Sequence, residues 1–413
     1  MITVKPFCAL RPTEEYAKEC AALPYDVMSS AEAREMVKGK PYSFLHIDRA
    51  EIDLDPSIDI YDARVYQKAA ETLNRLEQEG VYVQDNVRRF YFYRQIMDGR
   101  SQTGIVGCAS IDDYLENRIK KHEKTRADKE EDRIQHVSTC SAQTGPIFLA
   151  YKESETLDRI ISQQTEKQPL YDFISEDGIR HTVWISDSCM IDAEIERAFH
   201  GLEALYIADG HHRAASAVKV GMQRREQAGG YTGAEEFNYF LSVIFPANSL
   251  KIFDYNRLVK DLNGYSVDAF LQEVENSLGT VEKYEGQGAY RPAQPHSMGL
   301  YVGGSWYVVK FHQRVCEGAS PAERLDCAIL QKYLLAPILD IQDPRTDKRI
   351  DFVGGIRGLE YLQEHCAENG AAMSMYPTSM QELTSVADAG EQMPPKSTWF
   401  EPKLRSGILI HKI

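Results

Sequence analysis

The feature that most restricts how this chain can fold is an apolar strand that leads through Asp-Gly directly into an alanine-rich helix. Residues 205–208 are apolar, Asp209 and Gly210 follow, and helix-forming residues continue through 211–217. Strand-like and helix-like patterns alternate in the same way along the rest of the chain, and Asp98-Gly99 predicts the turn of a hairpin. This alternation predicts a mixed α/β (α+β) fold.

The length predicts more than one structural region. The chain has 413 residues, and domains usually contain roughly 100–200 residues. We expect residues 1–250 to form the region that carries the Asp-Gly motif. We expect residues 251–413 to form a second α/β region that packs on the first.

Charge and cysteine usage restrict the partners and the compartment. Asp and Glu number 62 against 47 Lys and Arg, which gives a net charge of −15. An acidic chain is repelled by nucleic-acid phosphates and anionic membranes, so we expect neither as a partner. No apolar run is long enough to span a membrane, and the start lacks the pattern of a signal peptide. The eight cysteines are scattered singly, as in reduced cytoplasmic proteins. A homodimer is compatible with the sequence, which leaves the oligomeric state open.

The segment 209–213, Asp-Gly-His-His-Arg, predicts an anion site. A helix N-terminus presents unpaired N–H groups and partial positive charge. Gly210 allows a ligand to approach the backbone, and His211, His212 and Arg213 add donors. Asp209 could orient a histidine or hold Mg²⁺ at the phosphate. The alternative is a helix that Asp209 caps, with both histidines on the surface.

A second candidate is the charged run at 120–133. It lies in a stretch, 112–140, that we expect to be helical, and such runs usually form a solvated helix face. Phosphoryl transfer needs cations for the transferring group and a base for the acceptor hydroxyl. Glu123 is the candidate base, with Lys124 and Arg126 as phosphate contacts. Lys396, which follows two prolines and precedes two hydroxyl residues, is a further candidate anion contact.

Several common sites are absent from the sequence. It contains no P-loop motif, no glycine-rich dinucleotide motif after a strand, and no protein-kinase or nucleophile-elbow signature. Any phosphate chemistry must therefore use another arrangement.

The Asp-Gly-His-His-Arg unit resembles the signature of the ParB/sulfiredoxin superfamily, and most closely its free-serine kinases. The wider chain looks like a bacterial and archaeal family of uncharacterised proteins that shares His-Glu-Lys-Thr at 122–125, Thr-Gly-Pro at 144–146 and Met-Pro-Pro-Lys at 393–396. The resemblance implies a ParB/sulfiredoxin-like core of mixed sheets with additional α/β elaboration. It also implies nucleotide phosphates at the helix start and a glutamate base. That glutamate does not align by motif, so Glu123 is our own assignment.

These observations lead to the hypothesis of a small-molecule phosphotransferase. It would be a serine kinase, or in reverse a phosphoserine-dephosphorylating enzyme, that uses ATP/ADP or pyrophosphate with Mg²⁺. Glu123, Asp209 and His211 would be catalytic. The phosphate and nucleotide contacts would be Gly210, His211, His212, Arg213, Lys124, Arg126 and Lys396. The alternative is a nucleotide-binding regulatory switch without metabolite kinase activity, as the DNA-partitioning relatives suggest.

Overall fold

A computed structural model describes every residue from Met1 to Ile413 as two compact units. The first unit contains residues 1–250 and 402–413, and the second contains residues 251–401. The chain end therefore departs from the expected region 251–413. The reason is backbone pairing: Leu10 and Ile410 exchange N–H···O bonds of 2.9 and 3.0 Å, and the last strand pairs with residues 142–143.

The first unit contains thirteen strands and nine helices. The strands are β1 Val4–Lys5, β2 Leu10–Pro12, β3 Tyr82–Gln84, β4 Tyr91–Met97, β5 Arg100–Ser110, β6 Ile119–Lys120, β7 Ala142–Gln143, β8 Ile147–Tyr151, β9 Tyr171–Ile174, β10 Arg180–Ile185, β11 Leu205–Asp209, β12 Tyr239–Pro246 and, at the chain end, β21 His411–Lys412. The helices are α1 Ala17–Cys20, α2 Ser30–Met36, α3 Leu45–Asp48, α4 Ala63–Gln78, α5 Ile111–Leu115, α6 Ala127–Cys140, α7 Glu155–Thr165, α8 Cys189–His200 and α9 His211–Ala228.

A nine-stranded sheet forms the centre of the first unit. Its strand order is β6-β11-β8-β12-β5-β4-β10-β9, and β1 also pairs with β5. The pairs β6/β11 and β8/β12 are parallel, whereas the other pairs are antiparallel. This mixed sheet with helices confirms the predicted α/β class. The Asp98-Gly99 turn joins β4 to β5, as the sequence predicts.

The parallel pairing of β6 with β11 positions the candidate site. Ile119 lies opposite Leu205 and Lys120 opposite Tyr206. Parallel strands end at the same edge of a sheet, so the loop at 121–126 emerges beside the turn that begins α9.

The expectation of a continuous helical region at 112–140 is wrong. Left-handed backbone at Asn117 (φ 57°) ends the turn after α5, and a strand and a loop separate α5 from α6.

The second unit contains eight strands and four helices. The strands are β13 Ile252–Phe253, β14 Tyr255–Val259, β15 Gly279–Lys283, β16 Ser297–Val302, β17 Ser305–Phe311, β18 Ile350–Gly354, β19 Ala371–Met375 and β20 Trp399–Phe400. The helices are α10 Val267–Ser277, α11 Asp326–Leu330, α12 Glu360–His365 and α13 Met380–Asp388. Six of the strands form an antiparallel sheet in the order β15-β17-β16-β19-β14-β18.

Across both units, none of the helices has the length and apolarity that a membrane crossing requires.

Residues 402–413 complete the core of the first unit, which leads to a stability prediction. Ile410 is 0% exposed and packs in a cluster with Leu10 and Phe44. Replacing Ile410 with alanine should lower the free energy of unfolding by about 2–4 kcal/mol, because the substitution removes buried methylene groups and leaves a cavity. Urea unfolding measures the loss. Ile174→Ala, at a side chain 54% exposed on β9, should cost less than about 1 kcal/mol. Equal losses in the two variants would contradict the described packing.

Candidate functional site

The site begins where β11 turns into α9. Residues 205–208 are buried in the sheet, and Gly210 adopts the left-handed conformation (φ 93°, ψ 33°) before the helix starts at His211. No side chain caps this helix, so its first N–H groups face the turn with the partial positive charge of a helix start. The backbone N–H that donates to the Asp209 carboxylate is that of the adjacent Gly210, at 3.0 Å, and not one from the first turn of α9. The alternative of a helix capped by Asp209 therefore does not describe the turn.

Two cations hold the Asp209 carboxylate. Its Oδ2 lies 3.3 Å from Lys403 Nζ and 3.8 Å from Arg213 Nη2. Burial by itself would raise the pKa of Asp209, but the charges of Lys403 and Arg213 outweigh it and hold this pKa below its usual range. Lys403 was not among the predicted site residues. It is 194 positions from Asp209 in sequence, and no local pattern connects the two.

The Arg213 guanidinium lies folded beneath the turn. Its Nη1 donates to the backbone carbonyl of Pro146 at 2.6 Å, and the side chain is 10% exposed. Its Nε is buried without a hydrogen-bond partner. Arg213 therefore connects the start of α9 to the segment before β8 through this hydrogen bond, while its Nε–H donates to no protein atom.

Glu123 and His211 come together across the loop and the helix start. Glu123 Oε2 lies 3.8 Å from His211 Nδ1, with 41% of the Glu123 side chain exposed and 4% of the His211 side chain. His122, the residue before Glu123, places its ring edge-to-face against His211 with centroids 4.4 Å apart. The backbone N–H of His122 donates to His211 Nε2 over a long 3.4 Å. The structure thus brings the predicted Glu123 and His211 together and adds His122, which was not predicted.

Burial determines the charge of these histidines. It lowers the pKa of His122 to about 4, against smaller opposing effects of the Asp209 carboxylate and the Ile207 carbonyl. Burial also lowers the pKa of His211 well below its usual value, and the neighbouring His122 adds to that shift. Both rings are therefore neutral at pH 7. Of the two histidines that the alternative interpretation placed on the surface, His211 is buried and His212 is partly buried.

The other predicted contacts of the first unit lie around the loop at 121–126. His212 is partly buried, and its Nε2 accepts a hydrogen bond from the Arg126 backbone N–H at 3.0 Å. The Arg126 guanidinium turns away to Asp128, 2.8 Å distant, and its side chain is 65% exposed. Lys124 is exposed on the same loop. The predicted cationic role of Arg126 is thus weakened by its own ion pair, whereas its backbone fixes His212.

Lys396 belongs to the second unit. There its ammonium lies 5.8 Å from the centroid of the Tyr255 ring, and its carbonyl accepts a hydrogen bond from Arg257. Its backbone is left-handed, with φ 60°. These contacts describe a residue that packs within its own unit, and its role in anion binding stays a prediction.

The surroundings of Asp209 do not fit a Mg²⁺ ligand. Mg²⁺ requires octahedral oxygen coordination and is attracted by uncompensated carboxylates. Two cations within 3.8 Å already compensate this carboxylate, and their charges would repel a further cation. The carboxylate instead positions Lys403 and Arg213 beside the helix start.

Comparison with known proteins adds structural relatives. No curated protein matches the chain. Among solved structures, SbnI with a C-terminal truncation from Staphylococcus aureus is 12% identical with a TM-score of 0.39, and the alignment covers 73% of this chain and 85% of SbnI. A free serine kinase in complex with AMP is 14% identical with a TM-score of 0.35, covering 72% and 90%. A conserved hypothetical protein from Pyrococcus furiosus is 15% identical with a TM-score of 0.35, covering 73% and 92%.

The match to a family model is more extensive. It covers residues 4–328, which include β11, the turn at Gly210 and α9, together with the loop at 121–126. The model is described as a protein of unknown function. On this match, the chain belongs to the DUF1015 family.

Proposed function

We propose that the protein is a small-molecule phosphotransferase whose site is the start of α9. The observation that carries the proposal is the pairing of an uncapped helix N-terminus with Asp209, Lys403 and Arg213. Arg213 and Lys403 bring positive charge to the helix start, where the helix dipole also favours an anion. A phosphoryl group suits this arrangement.

The carboxylate of Glu123 supports transfer to a hydroxyl acceptor. Glu123 is partly exposed beside His211, the first residue of α9, so a hydroxyl could lie between this carboxylate and a phosphate on the helix start. The resemblance of the 209–213 segment to free-serine kinases favours serine as the acceptor, and a nucleotide or pyrophosphate as the phosphoryl donor. In the reverse reaction, phosphoserine would transfer its phosphoryl group to the nucleotide or the phosphate that the forward reaction releases.

The proposed chemistry consists mainly of positioning and charge neutralisation. The serine hydroxyl oxygen attacks the terminal phosphorus of the donor, and its proton passes to Glu123. The bond between that phosphorus and the bridging oxygen breaks, and the oxygen leaves with the electron pair on the released nucleotide or phosphate. Arg213 and the helix N–H groups stabilise the negative charge on the transferring group.

The direct test is phosphoryl exchange followed by ³¹P NMR. The protein is incubated with phosphoserine plus ADP, and separately with serine plus ATP or pyrophosphate, each donor supplied as its Mg²⁺ salt. Transfer in one of these mixtures is the expected result. If none exchanges phosphate while a nucleotide still binds and raises the melting temperature, the protein is a nucleotide-binding switch and the proposal fails.

The variant Glu123→Gln tests whether Glu123 acts as the base, independently of phosphate binding at the start of α9. We expect kcat to fall by about 10³-fold with the affinity for the donor retained, because general-base catalysis contributes roughly 10²–10⁴-fold. Steady-state kinetics and donor titration give the two quantities. The matched control is Glu131→Gln, at an exposed side chain on α6 that accepts a hydrogen bond from Gln135. An unchanged rate in Glu123→Gln would remove Glu123 from the mechanism.

A further inference from the structure

The His122 side chain is buried with no hydrogen-bond partner for either ring nitrogen. It is 1% exposed, and neither Nδ1 nor Nε2 makes a hydrogen bond of ordinary length and angle, the nearby Ile207 carbonyl included. Leaving a buried polar group unsatisfied is unfavourable for folding. A bound ion or an ordered water is one explanation for such a buried group. The His122 ring therefore has a nitrogen that is not used within the protein and can serve as a ligand.

Two other donor side chains face the same point. Single ligand atoms from His122, Glu123 and His211 all lie within 4.8 Å of one another. The 3.8 Å between Glu123 Oε2 and His211 Nδ1 is too long for a hydrogen bond. The three side chains therefore bring two imidazoles and one carboxylate close enough together to share one bound ion.

We propose that His122, Glu123 and His211 together bind one divalent first-row transition-metal ion of the Zn²⁺ class. Two imidazole nitrogens and one carboxylate oxygen form a donor set that suits Zn²⁺ and its neighbours. Mg²⁺ is a hard ion that takes oxygen ligands and keeps much of its water. The donor set of this cluster therefore disfavours Mg²⁺, the ion that the sequence predicted at Asp209.

The arrangement needs only a small contraction to hold the ion. Ligand atoms at about 2.0–2.2 Å from zinc lie roughly 3.4 Å apart in a tetrahedron. Glu123, with 41% of its side chain exposed, can supply most of that movement, whereas both histidines are held in the protein interior. Three protein ligands leave a fourth position open, as in catalytic rather than structural zinc sites.

This inference goes beyond the proposed phosphotransferase and does not rest on it. The donor set is defined without any substrate, so metal binding can be measured in the absence of serine and nucleotide. A carboxylate has two oxygens, so Glu123 could bind the ion through one and accept the hydroxyl proton with the other. Glu123→Gln is expected to affect both properties, so metal titration of the wild-type protein without substrate is the measurement that separates the two proposals.

Co²⁺ titration of the full-length, chelator-stripped protein tests the site, because the visible d–d absorption of Co²⁺ reports its ligands directly. Zn²⁺ and Mg²⁺ are then added as competitors. The variants are His122→Gln and Glu123→Gln. The control is His46→Gln, which removes a histidine whose Nδ1 lies 2.8 Å from the Asp53 carboxylate in the same unit, outside the cluster.

We expect one equivalent of Co²⁺, displaced by Zn²⁺ but not by millimolar Mg²⁺. Both cluster variants should weaken binding by at least about 100-fold, the upper end of what losing a mere outer-shell partner costs, and His46→Gln should bind like the wild type. Absence of saturable binding, an unchanged spectrum and affinity in Glu123→Gln, or displacement by Mg²⁺ would overturn the proposal. Should His122→Gln fail to fold, Glu123→Gln decides alone, since its side chain is partly exposed. Metal binding without phosphoryl transfer overturns only the proposed function, and transfer without metal binding overturns only this site.

Discussion

Replacing Arg213 with methionine is expected to weaken the binding of pyrophosphate and ADP by on the order of 100-fold. Hydrogen bonds to charged groups contribute about 1.5–3 kcal/mol each, and about 1.4 kcal/mol corresponds to a tenfold change in affinity. The buried Arg213 Nε has no protein partner, so a donor on this guanidinium remains available to an anion at the helix start. Isothermal titration calorimetry with each ligand measures the loss.

The same substitution should also destabilise the first unit by about 1–3 kcal/mol. Methionine leaves the Pro146 carbonyl without the donor that now lies 2.6 Å away and removes one of the two cations beside Asp209. Arg224→Met is the matched control. Arg224 lies on the same helix and donates two hydrogen bonds, to the Ile413 carbonyl and to Ser141 Oγ. We expect the control to cost less than about 1 kcal/mol and to leave anion binding unchanged.

Arg213→Lys distinguishes charge from geometry. Lysine keeps the positive charge but lacks the planar fork that contacts a phosphate through two parallel bonds. We expect it to recover part of the lost affinity. If Arg213→Met binds pyrophosphate and ADP as tightly as the wild type does, the start of α9 is not the anion site and the phosphotransferase proposal loses its main support.

The strand, turn and helix at the centre of the site were predictable because their signals are local. Apolar residues 205–208 form β11, Gly210 provides the left-handed turn, and α9 begins at His211. The Asp98-Gly99 hairpin follows from local signals in the same way. Each of these features depends on neighbours within a few positions, so the residue pattern alone specifies it.

The loop that carries His122 and Glu123 was not predictable from the same kind of pattern. The run from 112 to 140 is rich in charged helix-forming residues. Within it, Ile119 and Lys120 nevertheless pair with β11, the strand that leads into the 209–213 segment. That two-residue strand is stabilised by a partner 86 positions away, and it determines which side chains follow it. Tertiary pairing here overrides local helix propensity.

The role of Lys403 could not be predicted from a local sequence pattern either, because its contact forms between residues that are far apart in the chain. Its ammonium reaches Asp209 only because residues 402–413 return to the first unit. Near Glu123, the Arg126 side chain pairs with Asp128 and is largely exposed, and the roles of Lys124 and Arg126 as phosphate contacts stay predictions. The two cations beside Asp209 are one that the sequence predicted, Arg213, and one that no pattern indicated, Lys403.

Replacing Gly210 with alanine is expected to lower the free energy of unfolding by about 2–3 kcal/mol and to weaken anion binding with it. The φ of 93° places this residue in the left-handed region, which costs an L-residue with a Cβ roughly 1–2 kcal/mol. An added Cβ would also stand 3.0 Å from Nε and Nη2 of Arg213. That guanidinium is held by the Pro146 carbonyl, so relief of the crowding breaks its contacts.

The other end of α9 provides the control for backbone strain. Gly229 also has a left-handed backbone, with φ 65°, and an added Cβ there meets nothing within 4 Å. Gly229→Ala should therefore cost only about 1 kcal/mol, and the difference between the two variants measures the contact with Arg213. In an Arg213→Met background the guanidinium is gone, so the cost of Gly210→Ala should fall to that of Gly229→Ala. Equal costs for the two glycine variants in the wild-type background would show that the guanidinium does not lie beneath the turn, because strain alone would then account for both.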